Sequence, residues 1–128
     1  MTSGPMSTIL IIEDNDKNMK LARDILNAKG YRTIEAVTGE EGVKLAKEKL
    51  PDLVLMDIQL PGMNGIEAFR QIRADAKTTG IPVVALTASV TPTDRSEINA
   101  AGFDAFIGKP ISLKEFVATV KRLIEGKK

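Results

Sequence analysis

The sequence predicts an α/β domain: a doubly wound sheet of five parallel strands in the order 2-1-3-4-5, with five helices packed on its two faces. Three observations carry that expectation. Short apolar runs, led by Ile9-Leu10-Ile11-Ile12 and Leu53-Val54-Leu55-Met56, alternate five times with longer segments patterned at helical spacing. These two runs are continuous, as strands covered on both faces of a parallel sheet are. Arg32 to Val37, by contrast, mixes polar and apolar residues, and Ala105-Phe106-Ile107 is brief, so both suit sheet edges.

Each element has its own signals. After the first strand a helix opens near Asn15 or Asp16, shows apolar residues at Leu21, Ala22, Ile25 and Leu26, and ends at Gly30. The edge strand from Arg32 to Val37 comes next. Thr38-Gly39-Glu40-Glu41 reads as a capping box for a helix carrying Val43, Leu45 and Ala46, which Pro51 stops. The central strand then runs straight into Asp57 and a Pro61-Gly62-Met63-Asn64-Gly65 loop. A third helix starts at Asn64-Gly65-Ile66-Glu67, with Ile66, Phe69 and Ile72 facing inward. Pro82 to Leu86 is the fourth strand. Thr91-Pro92 pairs an N-cap with proline at the first helical position, and Gly102 ends that helix. Ser112-Leu113-Lys114-Glu115 caps the last helix, where Leu113, Phe116, Val117, Val120, Leu123 and Ile124 share a face.

Composition narrows the chemistry. A chain of 128 residues is one domain with one core region. Eighteen basic and seventeen acidic residues leave a formal charge of +1, with no electrostatic case for nucleic acid or an anionic membrane. Zero cysteine excludes disulfides and thiolate chemistry, and zero histidine removes the commonest general base and metal ligand. No apolar run approaches the roughly 20 residues that span a bilayer. The opening Met1-Thr2-Ser3-Gly4-Pro5 has neither the basic nor the apolar region of a signal peptide. Residues 1–7 are expected to be a disordered leader or expression scar, 8–125 the domain, and 126–128 a tail.

The residues just past the strand ends point to function. Glu13 and Asp14 come after the first strand, Asp57 after the third, Thr87 after the fourth, and Gly108-Lys109-Pro110 after the fifth. In an open parallel sheet these groups converge at the carboxyl edge, beside the switch point between strands one and three. Singly, each has an ordinary explanation: Glu13-Asp14 as helix N-terminal charge, Thr87 as a strand-end hydroxyl, Lys109 as a surface lysine. Together they are unlike coincidence. Three neighbouring carboxylates repel and one lysine does not balance them, so a hard divalent cation, Mg2+, is expected. A carboxylate beside a cation, a lysine and a hydroxyl suits receipt of a phosphoryl group, with Asp57 as the nucleophile forming an aspartyl phosphate.

The motifs Ile-Ile-Glu13-Asp14-Asn15, Leu-Met-Asp57-Ile-Gln-Leu-Pro-Gly-Met-Asn-Gly65, Ala-Leu-Thr87-Ala88 and Phe106-Ile-Gly-Lys109-Pro110 stand in order. With them the chain, from about Thr8 to Ile124, resembles the response-regulator receiver domains of two-component signalling. Within that family it is similar to stand-alone receivers of the DivK type, the cell-division regulators. The resemblance implies a cytoplasmic phosphorylation switch that catalyses only its own phosphorylation and dephosphorylation. Asp57 would be charged from a phosphohistidine of a histidine kinase or histidine phosphotransfer protein. Asp14, Asp57 and the backbone carbonyl of Gln59 would ligate Mg2+, with Glu13 acting through water. Lys109 would contact the phosphoryl group, aimed by a cis Lys109–Pro110 peptide. Thr87 and Phe106 would form the switch pair, and Phe106, lacking a hydroxyl, would act by packing. Small Ala88 would leave the phosphoryl group accessible, while Gln59 and Ser89 would tune its hydrolysis. The output would pass through the face of helix four, strand five and helix five to a protein effector. A monomer or weak dimer without an output domain is expected.

Three other readings suit the residues less well. A Mg2+-dependent phosphatase with an aspartate nucleophile needs a second acid two residues on, where this chain has Gln59. A flavodoxin-like nucleotide or flavin binder needs a Ser/Thr/Gly-rich loop after strand one, where Glu13-Asp14 would repel phosphate. An unphosphorylated docking module has no need of the complete acid, aspartate, threonine and lysine set.

Overall fold

The computed structural model describes residues 7–60, 62–87, 92–109 and 111–126. In chain order the elements are β1 (Thr8–Ile12), α1 (Asp16–Ala28), β2 (Arg32–Ala36), α2 (Gly39–Lys49), β3 (Leu53–Asp57), α3 (Gly65–Ala74), β4 (Val83–Thr87), α4 (Pro92–Ala101), β5 (Ala105–Gly108) and α5 (Leu113–Gly126). All five strands are parallel, in the order β2-β1-β3-β4-β5. The expected architecture is therefore the one observed. The expectations for the leader before Ser7, for Pro61, for Ala88 to Thr91, for the Lys109–Pro110 peptide and for the last two residues lie outside the described residues. Ser7 itself accepts a hydrogen bond from the Arg32 N–H at 2.9 Å.

The two faces of the sheet result from strand geometry, because successive side chains point to opposite sides. Leu10, Ile12, Val54, Met56 and Val83 pack with α2 and α3 through Val43, Ala46, Ala68, Phe69 and Ile72. Ile9, Ile11, Leu53, Leu55, Val84, Leu86 and Ile107 pack with α1 and α5 through Met19, Ala22, Leu26, Phe116 and Val120. Each fully buried Val, Leu, Ile, Met or Phe side chain among these contributes roughly 1.5–3 kcal/mol of transfer free energy.

Three expectations about helix faces are corrected. On α1 the core stripe is Met19, Ala22 and Leu26, and Leu21 stands 44% exposed. Both stripes satisfy helical spacing; the helix settles with its face rotated toward Met19, whose flexible side chain fills the space beside the sheet. On α5 Phe116 and Val120 are buried, with Leu123 and Ile124 packed partly buried beside them as expected, while Leu113, in the first turn, is 58% exposed. On α3 Phe69 and Ile72 are buried as expected, but Ile66 is only partly so and lines a groove with Ala100 and Ala101 of α4.

The caps hold largely as read. Asn15, Thr38 and Asn64 each accept a hydrogen bond from the backbone N–H three residues on. Glu41 reaches back to the Val37 N–H, one residue before the N-cap that a standard capping box would engage. At the other end of α2, Leu50 takes φ +47°, a left-handed conformation that glycine adopts at no steric penalty. Leu50 is 52% exposed, so little packing is lost with its side chain. Leu50→Gly is therefore expected to stabilise the fold by roughly 0.5–1 kcal/mol, the relieved strain exceeding the added chain entropy. Urea unfolding checks this; a lower midpoint would contradict it.

Candidate functional site

Five strands end on the same edge of the sheet, and the polar groups cluster there. β1 leads into Glu13, whose N–H donates to the Ala36 carbonyl at 3.0 Å, so the residue is held as an extension of the sheet. Its side chain is 1% exposed, with Oε2 accepting the Asn15 N–H at 3.2 Å. Asp14, next along, is exposed at the rim. Asp57 closes β3 and is 5% exposed. Its Oδ1 accepts the Gln59 N–H at 2.9 Å, and Gln59 itself lies on the surface. Thr87 closes β4 and is buried, in register with Gly108 of β5. The Thr87 carbonyl accepts the Lys109 N–H at 2.8 Å, which places the lysine just past the end of the sheet.

Lys109 then reaches back across β4. Its Nζ donates to Asp57 Oδ2 at 2.9 Å and lies 2.7 Å from Glu13 Oε1 in an ion pair. That Glu13 oxygen is buried yet receives no well-directed hydrogen bond. Glu13, Asp14 and Asp57 each offer a carboxylate oxygen within 4.8 Å of the others. One ammonium thus faces three carboxylates. Burial foremost, and then the neighbouring Asp57, push the Glu13 carboxyl up to about 7, against the pull of Lys109. Burial works against the Lys109 charge, but its contacts with Glu13 and Asp57 outweigh that and raise its pKa.

These donors fit a hard divalent cation. They are all carboxylate oxygens, they converge, they exceed the positive charge present, and one of them lacks a directed partner. The structure thus brings Glu13, Asp14, Asp57 and Lys109 together, with Gln59 and Thr87 beside them. Phe106 pairs with Ala85, two residues before the Thr87–Gly108 pair, and is partly buried.

Gly65 was legible in the sequence only as a turn and helix-start residue. In three dimensions its Cα lies against the end of β3: a Cβ there would stand 2.5 Å from the Asp57 carbonyl oxygen and 2.7 Å from Ile58 Cα. The Gly65 N–H also donates to the Ile58 carbonyl at 2.9 Å. Only glycine lets α3 start this close to the residue after which the site is built.

A parallel 2-1-3-4-5 sheet with clustered acids at the β1 and β3 ends and a lysine after β5 defines a class, and the comparisons agree with it. Residues 9–121 match the response regulator receiver domain family, and the chain belongs to that family. It is 45% identical to the polar-differentiation response regulator DivK of Brucella ovis over 114 residues, covering 89% of this chain and 93% of that one. Among solved structures it is similar to the receiver domain of a sensor histidine kinase of Pseudomonas aeruginosa, crystallised with a magnesium ion coordinated in its active-site cleft. That match has a TM-score of 0.89 at 32% identity, covering 94% of this chain and 99% of the other. The signal receiver domain of a histidine kinase from Syntrophus aciditrophicus superposes with a TM-score of 0.88, also at 32% identity, covering 94% and 91%. The chain is thus a receiver domain of two-component signalling, similar to single-domain DivK regulators. Among the described residues no helix is long and apolar enough to cross a membrane.

Proposed function

We propose that this receiver is switched by phosphorylation of Asp57. A carboxylate oxygen of Asp57 attacks the phosphorus of a phosphohistidine on a histidine kinase or histidine phosphotransfer protein. The new O–P bond forms as the P–N bond breaks, and the electron pair stays on the imidazole nitrogen. What supports this reading above all is Lys109: it spans from β5 to within 3 Å of both Asp57 and Glu13, in a pocket that buries the two carboxylates and most of the lysine side chain.

In this reading Glu13, Asp14 and Asp57, with the Gln59 backbone carbonyl, hold Mg2+. When bound, the ion offsets the charge of the carboxylates and of the phosphoryl oxygens. Lys109 holds a further phosphoryl oxygen, and Gln59 N–H orients the Asp57 carboxylate so that its second oxygen faces the lysine. Thr87 closes on the new phosphoryl group, and Phe106 turns into the space that movement leaves. The rearranged surface of α4, β5 and α5 engages a downstream protein partner, in the cytoplasm.

The test uses a small phosphodonor. Acetyl phosphate or phosphoramidate with Mg2+ should label the protein, and excess chelator should remove the labelling. Equal labelling in chelator would overturn the metal assignment.

A further inference from the structure

We propose that Asp104 and Arg73 are positioning residues for the phosphoryl site. Clamped to the end of β5 opposite Lys109, they hold that strand in the register that brings Lys109 onto Asp57. The inference rests on the phosphorylation reading above and adds residues on the far side of the sheet to it.

β5 is short and lies at the edge, paired only with β4. Of its four residues only Ile107 is fully buried, so burial pins its register weakly. A slip by one residue would carry Lys109 about 3.3 Å along the strand and turn Phe106 to the opposite face. Register must be secured at another point, and Asp104 secures it. Its N–H donates to the Val83 carbonyl at 3.0 Å, and its Oδ2 accepts the Val83 N–H at 2.7 Å. Both polar groups of one β4 residue are therefore tied to the residue that precedes β5.

Asp104 is in turn held from α3. Arg73 Nη2 donates to Asp104 Oδ2 at 2.6 Å, while Nη1 donates to the Ile81 carbonyl at 2.6 Å. The Arg73 guanidinium lies 4.8 Å over the ring of Phe69, which stacks on Phe103 at 4.1 Å between centroids. One turn of α3, from Phe69 to Arg73, thus grips two adjacent residues, Phe103 and Asp104. From that fixed point β5 runs in register through Ala105–Val84 to Gly108–Thr87, and Lys109 emerges beside Asp57.

The test compares Asp104→Ala, Asp104→Asn and Arg73→Met in the full chain, using acetyl phosphate labelling across a Mg2+ series and hydrogen exchange at the Lys109 amide. Asp104→Ala should lower the maximal labelling rate about tenfold, since misplacement of a reacting group by roughly an ångström can have up to about a hundredfold effect. The half-saturating Mg2+ concentration should stay near wild type, because the three acids are untouched. Asparagine keeps an acceptor for the Val83 N–H and should restore most of the rate. Exchange at the Lys109 amide, which reports its bond to Thr87, should quicken in the alanine variant. A wild-type rate in Asp104→Ala, or a Mg2+ midpoint that moves with the rate, overturns the proposal. Should the alanine variant not fold, Arg73→Met decides: it must slow labelling and quicken that exchange, and a wild-type result overturns the clamp. If wild-type protein takes no label, the phosphorylation reading fails, and the Lys109 exchange alone tests the register role.

Discussion

Asp57→Asn is expected to abolish phosphoryl uptake while leaving a cooperatively folded protein. The substitution is nearly isosteric. An amide oxygen can still accept the Gln59 N–H that Asp57 Oδ1 accepts at 2.9 Å, so the β3–α3 loop keeps its anchor. What disappears is the nucleophile, because a carboxamide does not attack phosphorus at a useful rate. Lys109 loses its 2.9 Å partner but keeps Glu13 at 2.7 Å, and removing one of three crowded carboxylates relieves repulsion. Breaking a buried pair is destabilising when it strands a charge, and here Glu13 prevents that. Labelling by a phosphodonor should fall below detection, with a urea midpoint close to wild type. Labelling of Asp57→Asn at the wild-type level would move the acceptor elsewhere.

The legibility of this site in the sequence has a physical origin. Asp57, Glu13-Asp14, Thr87 and Lys109 each stand at the end of a strand, and a parallel sheet sends every such end to one edge. Local patterning was therefore enough to assemble a three-dimensional cluster. Where the answer depended on which of two compatible faces a helix presents, patterning failed. Leu21 and Met19 both lie on plausible stripes of α1, and only packing against the sheet selects Met19. Contacts between distant elements were invisible for the same reason. Arg73 reads as a basic residue at the end of a helix and Asp104 as a turn residue, thirty-one positions apart, and nothing local announces that they meet. Gly65 is the most instructive case, because its type was conspicuous but its purpose was not.

That purpose can be put to a test with a built-in control. Gly65→Ala is expected to reduce both stability and phosphoryl uptake, whereas Gly42→Ala should affect stability alone. At Gly65 the added methyl would stand 2.5 Å from the Asp57 carbonyl oxygen and 2.7 Å from Ile58 Cα. Neither can yield by rotating a side chain. Asp57 is hydrogen-bonded into the sheet, and the next residue donates its N–H to the Leu86 carbonyl at 3.0 Å. Either α3 retreats, stretching the 2.9 Å Gly65–Ile58 bond, or the end of β3 shifts and takes the Asp57 carboxylate with it. Overpacking of this kind costs about 1–3 kcal/mol. A displacement approaching an ångström at the nucleophile should lower the labelling rate by about tenfold or more. At Gly42 the methyl would instead run into the buried Ile12 side chain. That strains the core between α2 and β1 by a comparable amount, but the burden falls on the Ile12 side chain, whereas at Gly65 it falls on the backbone of Asp57 itself. Urea midpoints and labelling rates measured on both variants separate the two effects. Equal loss of labelling in both would show that uptake tracks stability alone. Selective loss in Gly65→Ala would show that the start of α3 holds the acceptor in place.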